Sequence, residues 1–65
     1  MSFVNVGRCE CIEEREKAIL VIESEMGNQF WIPKSVIGDD SEVWKLDQIG
    51  DVVVKEWWYD NSAFG

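Results

Sequence analysis

The fold is decided by residues 17–33, which read KAILVIES-EMGN-QFWIP. The first segment, Lys17–Ser24, contains an apolar run that is too short for a buried helix and rich in the branched side chains that favour strands. Residues 25–28, EMGN, predict a turn because glycine and asparagine both tolerate positive φ. The chain then returns as Gln29–Ile32, and Pro33 ends this second strand because it lacks a backbone donor. The stretch therefore predicts a β-hairpin.

Outside the hairpin, the same pattern of short apolar segments between turn signals predicts three further strands and one helical turn. These are Phe3–Ile12 with a bulge at Gly7, a helical turn at Lys34–Ile37, a strand at Glu42–Leu46, and a last strand from Asp51 to Trp57 or Trp58. A chain of 65 residues with five short strands is too small for two layered sheets. We therefore expect one mainly β domain spanning residues 1–65, a five-stranded antiparallel sheet bent or closed into a small SH3-like or OB-like barrel.

Acidic residues greatly outnumber basic residues in this chain. The chain has 13 acidic residues, six basic residues and no histidine, which gives a net charge of −7. Such a field attracts basic partners and repels nucleic acid. With 46% hydrophobic residues, however, the chain is too apolar for a disordered acidic tail. The composition therefore favours a folded protein that meets a basic partner, although acidity that serves only solubility is the simpler alternative.

No arrangement of residues indicates catalysis. Without histidine, neither the serines nor Cys9 and Cys11 have their usual general base. The two cysteines lie one residue apart, which disfavours a disulfide between them, and a metal would need further ligands. We expect buried reduced thiols, with a redox or shared-metal role as the alternative. The sequence thus predicts a non-enzymatic protein with no catalytic residues, no metal site and no cofactor.

Carboxylates interspersed with tryptophans in the second half of the chain are the candidate partner-binding residues. They are Asp39, Asp40, Glu42, Trp44, Asp47, Asp51, Glu56 and Trp57. Rows of carboxylates can imitate the phosphates of a nucleic acid, and a few aromatic side chains can anchor the contact. This pattern predicts binding to the basic surface of a nucleic-acid-binding protein or complex.

Two other uses of the surface stay open. A basic strip built from Lys34, Lys45 and Lys55 beside an exposed tryptophan would favour direct binding of single-stranded nucleic acid. Exposed strand edges would instead favour a homodimer.

The last strand and the residues after it decide which aromatic side chains are exposed. If residues 51–58 are a strand, Trp57 and Trp58 point to opposite faces. We expect Trp58 in the core and Trp57 at an interface. After them, either the terminal residues fray or Phe64 packs into the mouth of the barrel.

Residues 1–7 lack the charged and apolar regions of a secretory signal, and the longest apolar run, Ala18–Ile22, is five residues. We therefore expect a cytoplasmic protein with no membrane span.

Residues 30–37, FWIPKSVI, resemble the part of SH3 domains where a strand, a proline and a short helical turn follow one another. Gly50-Asp51 and Trp57-Trp58 are likewise similar to the SH3 glycine-aspartate turn and tryptophan pair. In SH3 domains that pair precedes the proline segment, whereas here it follows it. The resemblance therefore implies an SH3-like fold in which these segments occur in permuted order. No binding residue of SH3 domains is transferred to this chain.

A second resemblance covers most of the chain. The segment from Lys17 to Ser35 and the ending Glu56-Trp57-Trp58 resemble small uncharacterised proteins encoded by bacteriophages. This resemblance implies a phage protein that acts in the host cytoplasm. It would be either a counter-defence protein, such as an anti-CRISPR inhibitor of a bacterial nucleic-acid-binding protein or complex, or an accessory module of phage replication or recombination that binds single-stranded nucleic acid.

Overall fold

The computed structural model describes residues 2–61. Within this range the chain forms four strands, one 3₁₀ turn and one short helix. These elements are β1 (Phe3–Glu14), β2 (Ala18–Glu23), β3 (Gln29–Pro33), the 3₁₀ turn (Lys34–Val36), β4 (Ile49–Lys55) and α1 (Glu56–Asp60). The mainly β class is confirmed.

The four strands make one antiparallel sheet in the order β3-β2-β1-β4. The predicted hairpin is confirmed as β2 and β3, and Gly27 in its turn has φ of 74°. β1 pairs with β2 on one side and with β4 on the other. Two bulges let it bend, one between Cys11 and Glu13 and one between Asn5 and Gly7. Gly7 has φ of 99°, which confirms the predicted bulge at this glycine.

The side chains of the four strands alternate between two faces, here called the inner and outer face. The inner face carries fully buried side chains: Cys9, Cys11, Ile19, Val21, Ile32, Val52 and Val54. Val36 and Val43, from the connection between β3 and β4, complete this core. Because strand side chains have a period of two, each intervening residue points to the outer face.

The predicted strand Glu42–Leu46 is wrong, since residues 41–48 form turns and irregular backbone. Gln48 explains the local shape: its side-chain oxygen accepts hydrogen bonds from the backbone N–H groups of Trp44 (2.7 Å) and Lys45 (3.0 Å). Residues 37–42 instead follow the free edge of β4. The Gly38 N–H donates to the Val53 carbonyl at 2.8 Å, so part of this edge is covered without a fifth strand among residues 2–61.

The last strand also ends earlier than predicted, at Lys55 rather than Trp57 or Trp58. β1 begins at Phe3, which pairs with Lys55, so residues beyond 55 have no strand partner and form α1 instead. In α1, Trp58 packs against the core while Trp57 is 55% exposed. Trp58 is therefore half-buried and Trp57 exposed, in the expected sense, but helical geometry and not strand alternation is the cause. The place of Trp57 at an interface stays a prediction.

The helical turn after Pro33 is confirmed at Lys34–Val36. The prediction for Phe64 lies outside the described residues. No helix within residues 2–61 has the length and apolar character to span a bilayer.

Candidate functional site

All eight predicted partner-binding residues are exposed. Five lie in the connection between β3 and β4, one in β4 and two at the start of α1; in chain order they are Asp39, Asp40, Glu42, Trp44, Asp47, Asp51, Glu56 and Trp57. The exposure that a binding surface requires is therefore present at every position. Their part in binding remains a prediction.

Glu42 and Asp51 are held side by side at the edge of β4. The Glu42 N–H donates to the Asp51 carbonyl at 2.9 Å, and the Asp51 N–H donates to Glu42 Oε1 at 2.8 Å. The carboxylate of Glu42 thus satisfies a backbone donor that the missing fifth strand would have satisfied. The pairing fixes two carboxyl groups on neighbouring backbone segments.

Asp39 and Trp44 line one cleft of about 340 Å³, together with Lys34, Ile37 and Gly38. The ammonium of Lys45 lies 5.1 Å from the centroid of the Trp44 ring, which is within the range of a cation–π interaction. Trp44 remains 51% exposed despite this contact. The cleft therefore presents an aromatic surface beside a carboxylate.

Glu56 and Trp57 form a separate group. They follow Lys55 at the end of β4, and the four residue steps from Asp51 to Lys55 span about 13 Å of strand. The Glu56 N–H donates to the Ser2 carbonyl at 3.0 Å, which ties α1 to the start of the chain. The fold thus divides the predicted residues into residues 39–51, here called the acidic segment, and the beginning of α1.

The carboxylates are largely uncompensated by cations. Within residues 2–61 two ion pairs form, Glu13 with Arg15 at 2.6 Å and Glu14 with Lys34 at 2.7 Å. The other eleven of the 13 carboxylates have no ion pair in this part of the chain. The acidic segment contains five of these and a single base, Lys45. It is therefore a local concentration of negative charge.

Glu14 has a structural role that the sequence does not indicate. Its carboxylate accepts from Lys34 Nζ at 2.7 Å and from the Leu46 N–H at 3.3 Å. The hydrogen bond from Lys34, followed by that from the Leu46 backbone, lowers the pKa of Glu14. These partners lie 20 and 32 residues away in sequence, and no local pattern indicates them.

The two cysteines are free and fully buried, which confirms the prediction of buried thiols. Burial is the main cause that raises the pKa of both, helped for Cys9 by the nearby Glu23 and Asp51 carboxylates. A thiol with a raised pKa is a poor nucleophile at neutral pH because little of it is ionised. The cysteines are therefore core residues.

The free energy of unfolding is expected to fall as the pH rises above about 8.5, where thiols of the unfolded chain ionise. The folded state keeps Cys9 and Cys11 protonated because their pKa is raised, so ionisation favours the unfolded state. Urea unfolding at neutral pH and at a pH near 10 measures this loss. In the Cys9→Ala/Cys11→Ala variant the loss should be smaller, and an equal loss in both proteins would contradict the assignment.

The described part of the chain holds no group of three or more side chains that could bind a metal ion. The described surface presents exposed carboxylates, exposed aromatic rings and a cleft beside Trp44. The chain matches no protein-family model, no curated protein and no solved structure.

Proposed function

We propose that this chain is a non-enzymatic binding protein that inhibits a bacterial nucleic-acid-handling complex by occupying its basic surface. The observation that carries the proposal is the acidic segment, which contains five exposed carboxylates and a single basic residue, Lys45. A groove that normally binds phosphates offers lysine and arginine side chains at its surface. Carboxylates held on a folded surface can meet those side chains in place of a nucleic acid.

Electrostatic complementarity explains how such a protein would act. Opposite charges speed the encounter and make the binding sensitive to salt. Specificity then comes from a few desolvated anchors, for which Trp44 is suited because it is exposed and flanked by Asp39 in the same cleft. The resemblance to small phage-encoded proteins supports a counter-defence role, of the anti-CRISPR kind, in the host cytoplasm.

A second candidate function is direct binding of single-stranded nucleic acid, because Lys34 lines the Trp44 cleft and Lys45 lies over the Trp44 ring. Two facts weigh against it. Lys34 is already paired with Glu14, and Lys55, the third lysine of the supposed strip, lies at the far end of β4. Titration of a single-stranded oligonucleotide at low salt separates the two candidates, and we expect no binding.

The proposal is tested by neutralising part of the acidic segment. In the variant Asp39→Asn/Asp40→Asn/Glu42→Gln, three charges are lost while the glutamine keeps the oxygen that accepts from the Asp51 N–H. Both proteins are used to capture partners from a nuclease-treated bacterial lysate, and retained proteins are identified by mass spectrometry. We expect a nucleic-acid-binding complex to be retained by the natural chain, and the variant to retain about tenfold less of it.

A matched control separates a specific surface from general acidity. The variant Glu16→Gln/Glu25→Gln/Asp60→Asn loses the same number of charges at exposed positions outside the acidic segment. It should retain the complex nearly as well as the natural chain, and raised salt should release the complex from both. Equal loss from the two variants, or no inhibition of nucleic-acid binding by the captured complex, would overturn the proposal.

A further inference from the structure

The outer face of the sheet carries a continuous set of apolar side chains. Trp31 lies opposite Leu20 on the neighbouring strand, and Leu20 lies opposite the bulge that contains Ile12. In the next row, Ile22 and Ile49 lie on either side of Glu10. Five apolar side chains from all four strands are here called the apolar patch: Ile12, Leu20, Ile22, Trp31 and Ile49. Glu10 lies among them.

The patch is open to solvent. Ile12 is 39% exposed, Trp31 is 46% exposed and Ile49 is 51% exposed. The residues that pack from outside the strands, including Val36, Val43 and Trp58, belong to the core cluster with the inner-face side chains. Contiguous exposed apolar surface is uncommon on small monomeric proteins and marks an interaction site.

The charge around the patch differs from that of the whole chain. The charged residues on or over this part of the outer face are Arg8, Glu10, Glu13, Arg15 and Asp51, a net charge of −1 against −7 for the chain. Arg15 is bound to Glu13 and lies 5.4 Å from the Trp31 ring centroid. The acidic excess therefore lies mainly elsewhere, and this face has no strong attraction for a basic partner.

We propose that the apolar patch packs against the same patch of a second copy of this chain. A two-fold axis places identical surfaces together, so a face that carries both signs of charge and little net charge can match itself. Arg8 has no ion pair in its own chain within residues 2–61, which leaves its cation available to carboxylates of the second copy. A 65-residue domain buries little surface alone, and dimer formation adds to its apolar core.

Pairing through the sheet edge is the less suitable way to form a dimer. β3 is an edge strand of the described sheet, but it has five residues and ends in Pro33, which offers no N–H donor. The outer face contributes side chains from four strands instead of one. The dimer interface is therefore formed by the outer face of the sheet and not by the β3 edge.

Sedimentation equilibrium of the natural chain over a wide range of protein concentrations tests the proposal without any other protein. We expect a monomer–dimer equilibrium that tightens at about 1 M salt, where the screening length is roughly 3 Å and the repulsion between two acidic copies is suppressed. This salt dependence is opposite to that expected for the basic partner. The dimer and the proposed inhibitory function can therefore fail independently.

The Trp31→Ser variant should weaken dimer formation at least about tenfold, because Trp31 is the largest side chain of the apolar patch and tryptophan contributes strongly when it is buried at an interface. The matched control is Trp57→Ser, which removes a similarly exposed tryptophan from α1, 55% exposed against 46% for Trp31, and should leave the equilibrium unchanged. Ile49→Ser provides a second patch variant on another strand, and circular dichroism checks that each variant is folded.

Two results would overturn the proposal. One is a chain that stays monomeric at all concentrations and at both salt levels. The other is a dimer that persists in folded Trp31→Ser and Ile49→Ser variants, since such a dimer would form through the β3 edge or another surface.

Discussion

Replacing Ile19 by alanine is expected to lower the free energy of unfolding by about 2–5 kcal/mol. Ile19 is fully buried on the inner face of β2, one of the two central strands of the sheet. The substitution removes apolar burial and leaves a cavity that neighbouring side chains fill only in part. A chain of 65 residues has a total stability of roughly 3–10 kcal/mol, so the loss is a large share of it.

Urea unfolding followed by circular dichroism measures this effect, at protein concentrations low enough to keep the chain monomeric. The matched control is Ile49→Ala, the same substitution on the outer face, where the side chain is 51% exposed. We expect the control to change the free energy of unfolding by about 0.5 kcal/mol. Similar losses in the two variants would mean that the inner face is not the main core.

Replacing Gly50 by alanine is expected to cost about 1–3 kcal/mol, the usual range for forcing extra atoms into a packed site. A Cβ at Gly50 would lie 2.7 Å from the Cβ of Glu42 and 2.8 Å from Glu42 Oε1. The backbone of the acidic segment would have to move away from β4. That movement would also strain the hydrogen bond from the Asp51 N–H to Glu42.

A double-mutant cycle identifies the cause of the Gly50→Ala effect. If the added methyl group meets Glu42, the cost of Gly50→Ala should be smaller in a Glu42→Gly background, because both the Cβ and the carboxylate are then absent. Urea unfolding of the four proteins measures the coupling. Strictly additive effects would show that the clash with Glu42 does not limit the fold.

Residues 17–33 show how much of the fold could be predicted. Their strand–turn–strand pattern is local, and the structure has β2 and β3 where the pattern indicates them. The bulge at Gly7 and the turn after Pro33 were predictable for the same reason, since glycine and proline restrict the backbone at their own positions. The exposure of the carboxylates in the acidic segment was predictable because clustered carboxylates are costly to bury.

The predictions were wrong where a side chain or a distant segment of the chain overrides the local strand pattern. Residues 42–46 alternate like a strand, but Gln48 binds two of their N–H groups. Residues 56–58 follow the predicted last strand, but β1 begins at Phe3, opposite Lys55, and leaves them without a strand partner. The ion pair between Glu14 and Lys34 joins β1 to the 3₁₀ turn across 20 residues. The Gln48 contact is local but competes with strand formation, whereas the other two contacts join residues that are far apart in the sequence.

The sequence by itself determined which side chains share a face of each strand, where the hairpin turns, and that acidic residues greatly outnumber basic ones. Only the tertiary structure decided that one apolar face is covered while Trp31, Ile12 and Ile49 stay exposed on the other. It also decided which two of the 13 carboxylates are paired. The physical reason is that a period of two divides side chains between faces, whereas covering a face or pairing a charge depends on distant segments of the chain.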